Sequence, residues 1–225
     1  MIDTLLENSV LYEDSSSGAL QLHTEFLTDV DNRNQELDGM QETELQQEVT
    51  AVVDDSAHTE GIVETAKKDT EFLPQYLTLQ EYLGSPSHDD TVAVLCALEQ
   101  FYQESLPTGG IPEPFLPVRG ARLEGLTSLY SSSIVYVWLE DCDPCELVKA
   151  DFEALLDPPP ESIALFAVYG PDCASLLHDT FAVDGGPTTL FMHHDRVETR
   201  LQGAVPRAVL ESEIEKLLEQ TPSVD

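Results

Sequence analysis

Positive charge is what this chain lacks. Of its 225 residues ten are Lys or Arg and 43 are Asp or Glu, a formal net charge of -33 at pH 7. Lysine is confined to Lys67, Lys68, Lys149 and Lys216. No basic stripe exists to neutralise phosphates, which argues against nucleic acid as a partner. Long apolar runs are missing too. No stretch approaches the ~18 uninterrupted apolar residues of a membrane span. The first residues, MIDTLLENSV, show neither a positive n-region nor a long apolar h-region. The expectation is a cytoplasmic protein with no membrane partner. No internal repeat is visible, and cysteine occurs only four times.

What is present is a normal apolar content, 41% of residues, enough for a packed core. The acidity is spread along the whole chain: residues 1–90 carry 21 acidic and 3 basic side chains, residues 91–225 carry 22 and 7. That distribution resembles the proteins of salt-in halophilic archaea. In molar salt the Debye length is only about 3 Å, so self-repulsion is largely screened. The competing reading is an acidic low-salt protein with a disordered acidic segment.

The first third is weakly patterned. SVLYEDSSSGALQLHTEF (9–26) sets two short apolar stretches around Ser-Ser-Ser-Gly and suggests a hairpin. Residues 31–70 are polar and thin in large apolar side chains, as expected of one or two solvated helices or partial disorder. LPQYLTLQEYL (73–83) and TVAVLCALEQFYQ (91–103) read as helices, the second capped by Asp89 or Asp90. SLPTGGIPEPFLP (105–117) then gathers four prolines and two glycines, the best domain boundary in the chain. The division expected is an acidic, mainly helical N-terminal extension of unknown role over 1–110 and a second domain over 111–225.

Past the boundary the elements become regular. PFLPV (114–118) is a short strand, ARLEGLTSLY (121–130) a short amphipathic helix, and SIVYVWL (133–139) a strand buried on both faces. CELVKADFEALL (145–156) is a helix with Leu147, Val148, Phe152, Leu155 and Leu156 inward, stopped by Pro158, Pro159 and Pro160. SIALFAVYG (162–170) is a second buried strand and CASLLHDTFAV (173–183) another helix. TTLFMHH (188–194) and VETRLQG (197–203) are strands joined by a turn around Asp195-Arg196. VLESEIEKLLEQ (209–220) closes the chain as a helix with Leu210, Ile214, Leu217 and Leu218 inward. The order is βαβαβαββα.

Cys142 and Cys145 stand three apart where the central strand meets its helix. In a reducing compartment such a pair is more often catalytic or metal-binding than a staple. A zinc site would need two further ligands from Cys96, Cys173, His178, His193 or His194, and no second Cys-x-x-Cys exists. Cys96 falls on an apolar helix face and reads as a small buried hydrophobe. Cys173 begins a helix and reads as structural, with an accessory thiol as the alternative. His193-His194 reads as an exposed strand end.

Element order and motif together resemble the thioredoxin family over about residues 112–220. Trp138 stands four residues before Cys142. Cys142-Asp143-Pro144-Cys145 has proline before its second cysteine. Gly186-Pro187-Thr188 opens the next strand after the third helix. The resemblance implies a thioredoxin-like α/β fold, a central mixed sheet flanked by helices, and a thiol–disulfide oxidoreductase using no cofactor. It implies Cys142 as nucleophile, Cys145 as resolving thiol, Pro187 in cis beside the sulfurs, Trp138 shielding the site, and Gly203 permitting a tight turn near it. Asp143, Pro144, Gly186 and Thr188 complete the surroundings. Its partners would be protein disulfides and an unidentified electron donor. A helix N-terminus stabilises a thiolate independently of any resemblance.

Several positions depart from the family pattern. Tyr136 stands where thioredoxins place a buried carboxylate. Asp141 replaces an aromatic residue, Glu146 a basic one, and Ala150 a proline. Asp141, Asp143 and Glu146 bring like charge to the nucleophile, which disfavours a thiolate. The alternative function is a thioredoxin-fold binding or redox-sensing module without general turnover.

The charge distribution carries a direct test. The protein is expected to melt at a higher temperature in molar KCl than in dilute buffer. Thermal scans at the two salt levels decide it, and an equal or lower value in high salt removes the halophile reading.

Overall fold

Ser132 to Trp138 form a strand in which all seven residues are buried. Such a strand needs a neighbour on each edge and cover on each face. The computed structural model, which describes residues 2–53, 56–102, 107–194 and 196–220, supplies both. The chain divides into two compact units, residues 1–105 and 106–225.

The first unit opens with α1 (Ile2–Glu7) and a hairpin of β1 (Leu11–Glu13) and β2 (Leu20–Leu22), paired antiparallel with Leu11 opposite Leu22. The turn is held by Asp14, whose carboxylate accepts from the backbone N–H groups of Ser16 and Ser17 at 2.9 Å each. The Ser16 hydroxyl first, then these backbone bonds, lower the carboxyl to about 2. Five helices follow: α2 (Thr24–Leu37), α3 (Glu42–Thr50), α4 (Ser56–Lys68), α5 (Phe72–Leu83) and α6 (His88–Tyr102). α5 is buried at every position from Phe72 to Gln80, with α2, α4 and α6 packed around it.

Residues 31–70 therefore differ from expectation. They form the second half of α2 and all of α3 and α4, and they bury Leu37, Val49, Val53, Ile62 and Val63. Single medium-sized apolar residues a turn or more apart suffice when the partner is a helix as apolar as α5. Asp54 and Asp55, between α3 and α4, lie outside the described residues, as does Gln103 beyond α6. The cap of α6 also differs: Ser87 Oγ accepts from Asp90 N at 3.1 Å. Asp90 also accepts from that hydroxyl at 2.6 Å.

The second unit contains β3 (Leu116–Pro117), α7 (Gly120–Leu129), β4 (Ser132–Trp138), α8 (Asp143–Leu155), β5 (Ala164–Tyr169), a 3₁₀ turn (Gly170–Asp172), α9 (Ala174–Phe181), β6 (Thr188–His193), β7 (Arg196–Gln202) and α10 (Arg207–Gln220). The sheet order is β3-β5-β4-β6-β7. β3, β5 and β4 run parallel, while β6 is antiparallel to both β4 and β7. β4 is the central strand, with Tyr136 opposite Ala167 on one side and Thr189 on the other. Ile134, Tyr136 and Trp138 point to one face and pack with Val148 and Phe152 of α8 and Leu210, Ile214 and Leu217 of α10. Val137 points the opposite way, toward Leu177 of α9. A mixed sheet with this strand order and helices on both faces is a thioredoxin-like fold.

Two inward assignments and the character of one helix change. Leu147 is 63% exposed and Leu218 39% exposed. α8 turns Cys145, Val148 and Phe152 inward, and a residue one position before Val148 lies about 100° around the helix. The same displacement separates Leu218 from Leu217. α7 is not amphipathic, since seven of its residues, Arg122 and Thr127 among them, are buried. The expected turn at Asp195 lies outside the described residues, and Arg196 belongs to β7.

These positions separate core from surface in a single measurement. Phe152→Ala should destabilise the protein by about 3–5 kcal/mol, whereas Leu147→Gln should stay within about 0.5 kcal/mol of the parent. Denaturant unfolding in molar KCl checks both. Equal losses would place Leu147 in the core.

Candidate active site

Cys142 is the N-cap of α8, with φ -121° and ψ 91°. Its carbonyl accepts from Cys145 N at 2.9 Å and from Glu146 N at 3.2 Å, and its Sγ accepts from Cys145 N at 3.2 Å. The sulfur thus occupies the place where a capping oxygen normally meets the free N–H groups of a first turn. Cys142 and Cys145 are joined as a disulfide with Cα atoms 5.2 Å apart. Cys142 is half-buried, while Cys145 is 1% exposed. An attacking group therefore reaches Cys142 first.

The chain enters α8 through Asp141, whose φ of 51° is left-handed, a conformation Asp adopts more readily than most residues. Asp143 and Pro144 occupy the exposed first turn. Pro144 forfeits no helical hydrogen bond there. Asp141, Asp143 and Glu146 are all exposed, so their repulsion of a thiolate is screened by water and salt.

Behind the pair, Tyr136 is fully buried and donates its hydroxyl to the carbonyl of Cys145 at 2.8 Å. Burial pushes its pKa well above the usual phenol value, so at neutral pH it is a donor and carries no charge. Trp138, 1% exposed, forms an interior wall, its ring 5.1 Å from that of Tyr169. Tyr169 in turn donates to Glu140 at 3.2 Å.

The third side of the site comes from the start of β6. The Gly186–Pro187 bond is cis. Thr188 pairs with Val137, one residue before Trp138. A Cβ at Gly186 would stand 3.1 Å from both Leu139 Cγ and Val137 O, so a side chain there requires its neighbours to give by a few tenths of an ångström. Thr188 Oγ1 donates to Gly185 O at 2.6 Å. Gly203, at φ 75°, donates its N–H to Pro187 O at 2.7 Å. The topology therefore collects Trp138, Cys142, Cys145 and the 186–188 segment around the end of β4. Beside them a groove of about 320 Å3 runs between Leu139, Pro171, Leu177, Val183 and Gly185.

Within the second unit, the other cysteine and the histidines are not gathered with the pair. Cys96 is buried in α6, in the first unit. His178 contacts Asp184 at 2.8 Å. His193 and His194 lie against each other at the end of β6, rings 4.7 Å apart. Among the described residues no cluster of three or more His, Cys, Asp or Glu is arranged to hold a metal. Cys173 is the N-cap of α9 but its thiol makes no cap bond. It faces Gly120, where a Cβ would stand 1.9 Å from its own Cβ.

Three features of the site escape a reading by motif. The Tyr136 hydroxyl bond depends on how α8 lies on β4. Gly110 packs on the ring of Trp138, and Lys149 donates to Gly109 O. The Gly-Gly pair was a boundary signal only, and the spacing between Lys149 and Gly109 has no local pattern.

No family model matches the chain, and no curated protein matches it. Solved structures do resemble it. A mutant thioredoxin from Halobacterium salinarum NRC-1 is 20% identical, covering 52% of this chain and 100% of that one, with a TM-score of 0.42. The thioredoxin of Malassezia sympodialis is 16% identical, covering 44% of this chain and 89% of that one, at a TM-score of 0.39. A chain from work on the thiol resolving mechanism in yeast mitochondrial 1-Cys peroxiredoxin is 12% identical, covering 46% of this chain and 95% of that one, at 0.41.

Burial, with Asp172 beside it, pushes the Cys173 thiol up to about 11. At pH 8 roughly one molecule in a thousand then carries that thiolate. In the reduced protein, iodoacetamide at pH 8 should modify Cys142 well before Cys173. Labelling of Cys173 should accelerate about tenfold per pH unit toward pH 10. The neutral thiol is what the fold favours, so its stabilising contribution is full below the unfolded value near 9 and is lost as pH rises toward about 11. Peptide mapping over a pH series reads this out, and Cys173 labelled first at pH 8 would contradict it.

Proposed function

We propose that this protein is a thiol–disulfide oxidoreductase that reduces protein disulfides through Cys142 and Cys145. The carrying observation is the Cys142–Cys145 disulfide at the N-terminus of α8, with the outer sulfur accessible and the inner one buried. In the reduced protein Cys142 Sγ, as thiolate, attacks one sulfur of a substrate disulfide. A Cys142–substrate disulfide forms and the other substrate sulfur leaves as a thiolate that takes a proton. Cys145 Sγ then loses its proton and attacks Cys142 Sγ. The internal disulfide forms again, the second substrate thiol is released, and two electrons have passed to the substrate. An external dithiol donor must return them for another cycle.

The surroundings support this assignment of roles. The first-turn N–H groups that face Cys142 Sγ stabilise negative charge there. Burial of Cys145 keeps it from outside thiols and leaves it one partner, the adjacent mixed disulfide. Pro187, Trp138 and Thr188, all buried, back the site from inside, and an extended substrate segment would lie on its accessible rim at Asp143, Pro144 and Gly186. The acidic surface fits a protein of a salt-rich cytoplasm, and the acidic, mainly helical region before residue 111 is an extension of the redox domain. Among the described residues no helix is long and apolar enough to cross a membrane.

Trapping tests the reading. Cys145→Ser should abolish turnover in a disulfide-reduction assay at molar salt yet accumulate mixed disulfides on Cys142. Cys142→Ser should lose both. Wild-type turnover by Cys142→Ser would sink the assignment. A wild-type protein with no turnover in either salt regime would leave only a binding or sensing role.

A further inference from the structure

Residues 107–111, PTGGI, are the first described part of the second unit. They fold as a turn, Ile111 N donating to Thr108 O at 3.1 Å. Gly110 is buried against Trp138. A Cβ there would stand 2.1 Å from Cε3, 2.6 Å from Cζ3 and 2.7 Å from Cδ2 of the indole. The backbone itself therefore lies on the six-membered ring, and any side chain at 110 would have to displace it. Ile111 continues the contact by packing against the core cluster that holds Trp138, Cys142 and Cys145.

The turn is tied down from α8. Lys149 Nζ donates to Gly109 O at 2.6 Å. Lys67 and Lys216 face carboxylates, Glu42 and Glu64 in one case and Glu213 in the other. Lys149, in a chain with 43 carboxylate side chains, is spent on a backbone carbonyl one helical turn beyond Cys145. The indole Nε1 of Trp138 is buried with no hydrogen-bond partner among the described residues. Packing alone, and not a polar anchor, therefore holds the ring.

The geometry points to residues 107–111 as a strap that fixes Trp138 at the redox site, with Gly110 as its contact surface and Lys149 as its latch. Gly110 and Lys149 are positioning residues: they act on the cysteine pair through Trp138. The inference rests on reading Cys142–Cys145 as a redox centre, but its test does not require turnover on a protein substrate.

Trp138 is the sole tryptophan, so its fluorescence reports the strap directly. The full-length oxidised protein and three variants are compared: Gly110→Ala, Lys149→Met and, as control, Gly109→Ala, where an added Cβ meets nothing within 4 Å. Two quantities are measured: acrylamide quenching of the emission, and the rate at which dithiothreitol reduces Cys142–Cys145, followed by alkylation and intact mass. Gly110→Ala should shift emission to the red and raise quenching. Lys149→Met, losing one charge-assisted hydrogen bond, should raise both quenching and reduction rate about threefold to tenfold. Gly109→Ala should behave as the parent. Wild-type quenching in both Gly110→Ala and Lys149→Met overturns the strap, and if Gly110→Ala does not fold, Lys149→Met alone decides. Raised quenching with an unchanged reduction rate overturns the positioning role. A protein inactive on protein disulfides that still shows both shifts refutes the reductase reading and leaves the strap standing.

Discussion

The second unit depends on burying β4 on both faces. Seven consecutive residues without a charge, Ser132 to Trp138, are removed from water. Every backbone N–H and C=O of that strand must then find a partner. β5 and β6 supply those partners, and α8 with α10 cover one face. Everything at the site hangs from the end of this strand. Trp138 closes it, Asp141 turns the chain, Cys142 caps the next helix, and Thr188 enters from the neighbouring strand.

That placement sets the electrostatic surroundings of the cysteine pair. The stabilising groups are close, fixed and partly desolvated: the N–H groups of the first turn of α8, one of them already on Cys142 Sγ at 3.2 Å. The opposing carboxylates of Asp141, Asp143 and Glu146 are exposed, and their effect falls off within a few ångströms in concentrated salt. Tyr136 keeps the interior behind the cysteines neutral, since its hydroxyl stays protonated while bonded to Cys145 O.

The N-terminal unit solves a different problem. Its sequence offers few large apolar residues outside α5 and α6. The unit concentrates its burial on one helix, with Phe72, Leu73, Tyr76, Leu77 and Leu79 all at 3% exposure or less. Surrounding helices then need only scattered residues such as Phe26, Val49 and Ile62 to close the core. Their outer faces are left free for charge.

Local patterns in the sequence were enough for the second unit's element order, for β4 as a doubly buried strand, and for Cys142 at a helix start. Each follows from a run of apolar β-formers, a 3.6-residue period or a proline, all encoded within a few neighbours. They were also enough to point to Gly186-Pro187-Thr188 as a strand opening. They did not separate Leu147 from Val148 or Leu218 from Leu217, because the identity of an apolar residue does not say which face the helix turns to the sheet. They left 31–70 undecided, because sparse apolar residues become a core only when α5 is there to receive them. The bond from Tyr136 to Cys145 O, the seat of Gly110 on Trp138 and the reach of Lys149 to Gly109 join residues 9, 28 and 40 positions apart. Contacts of that range exist only once the strand is buried and the helix laid across it, so tertiary packing alone decided them.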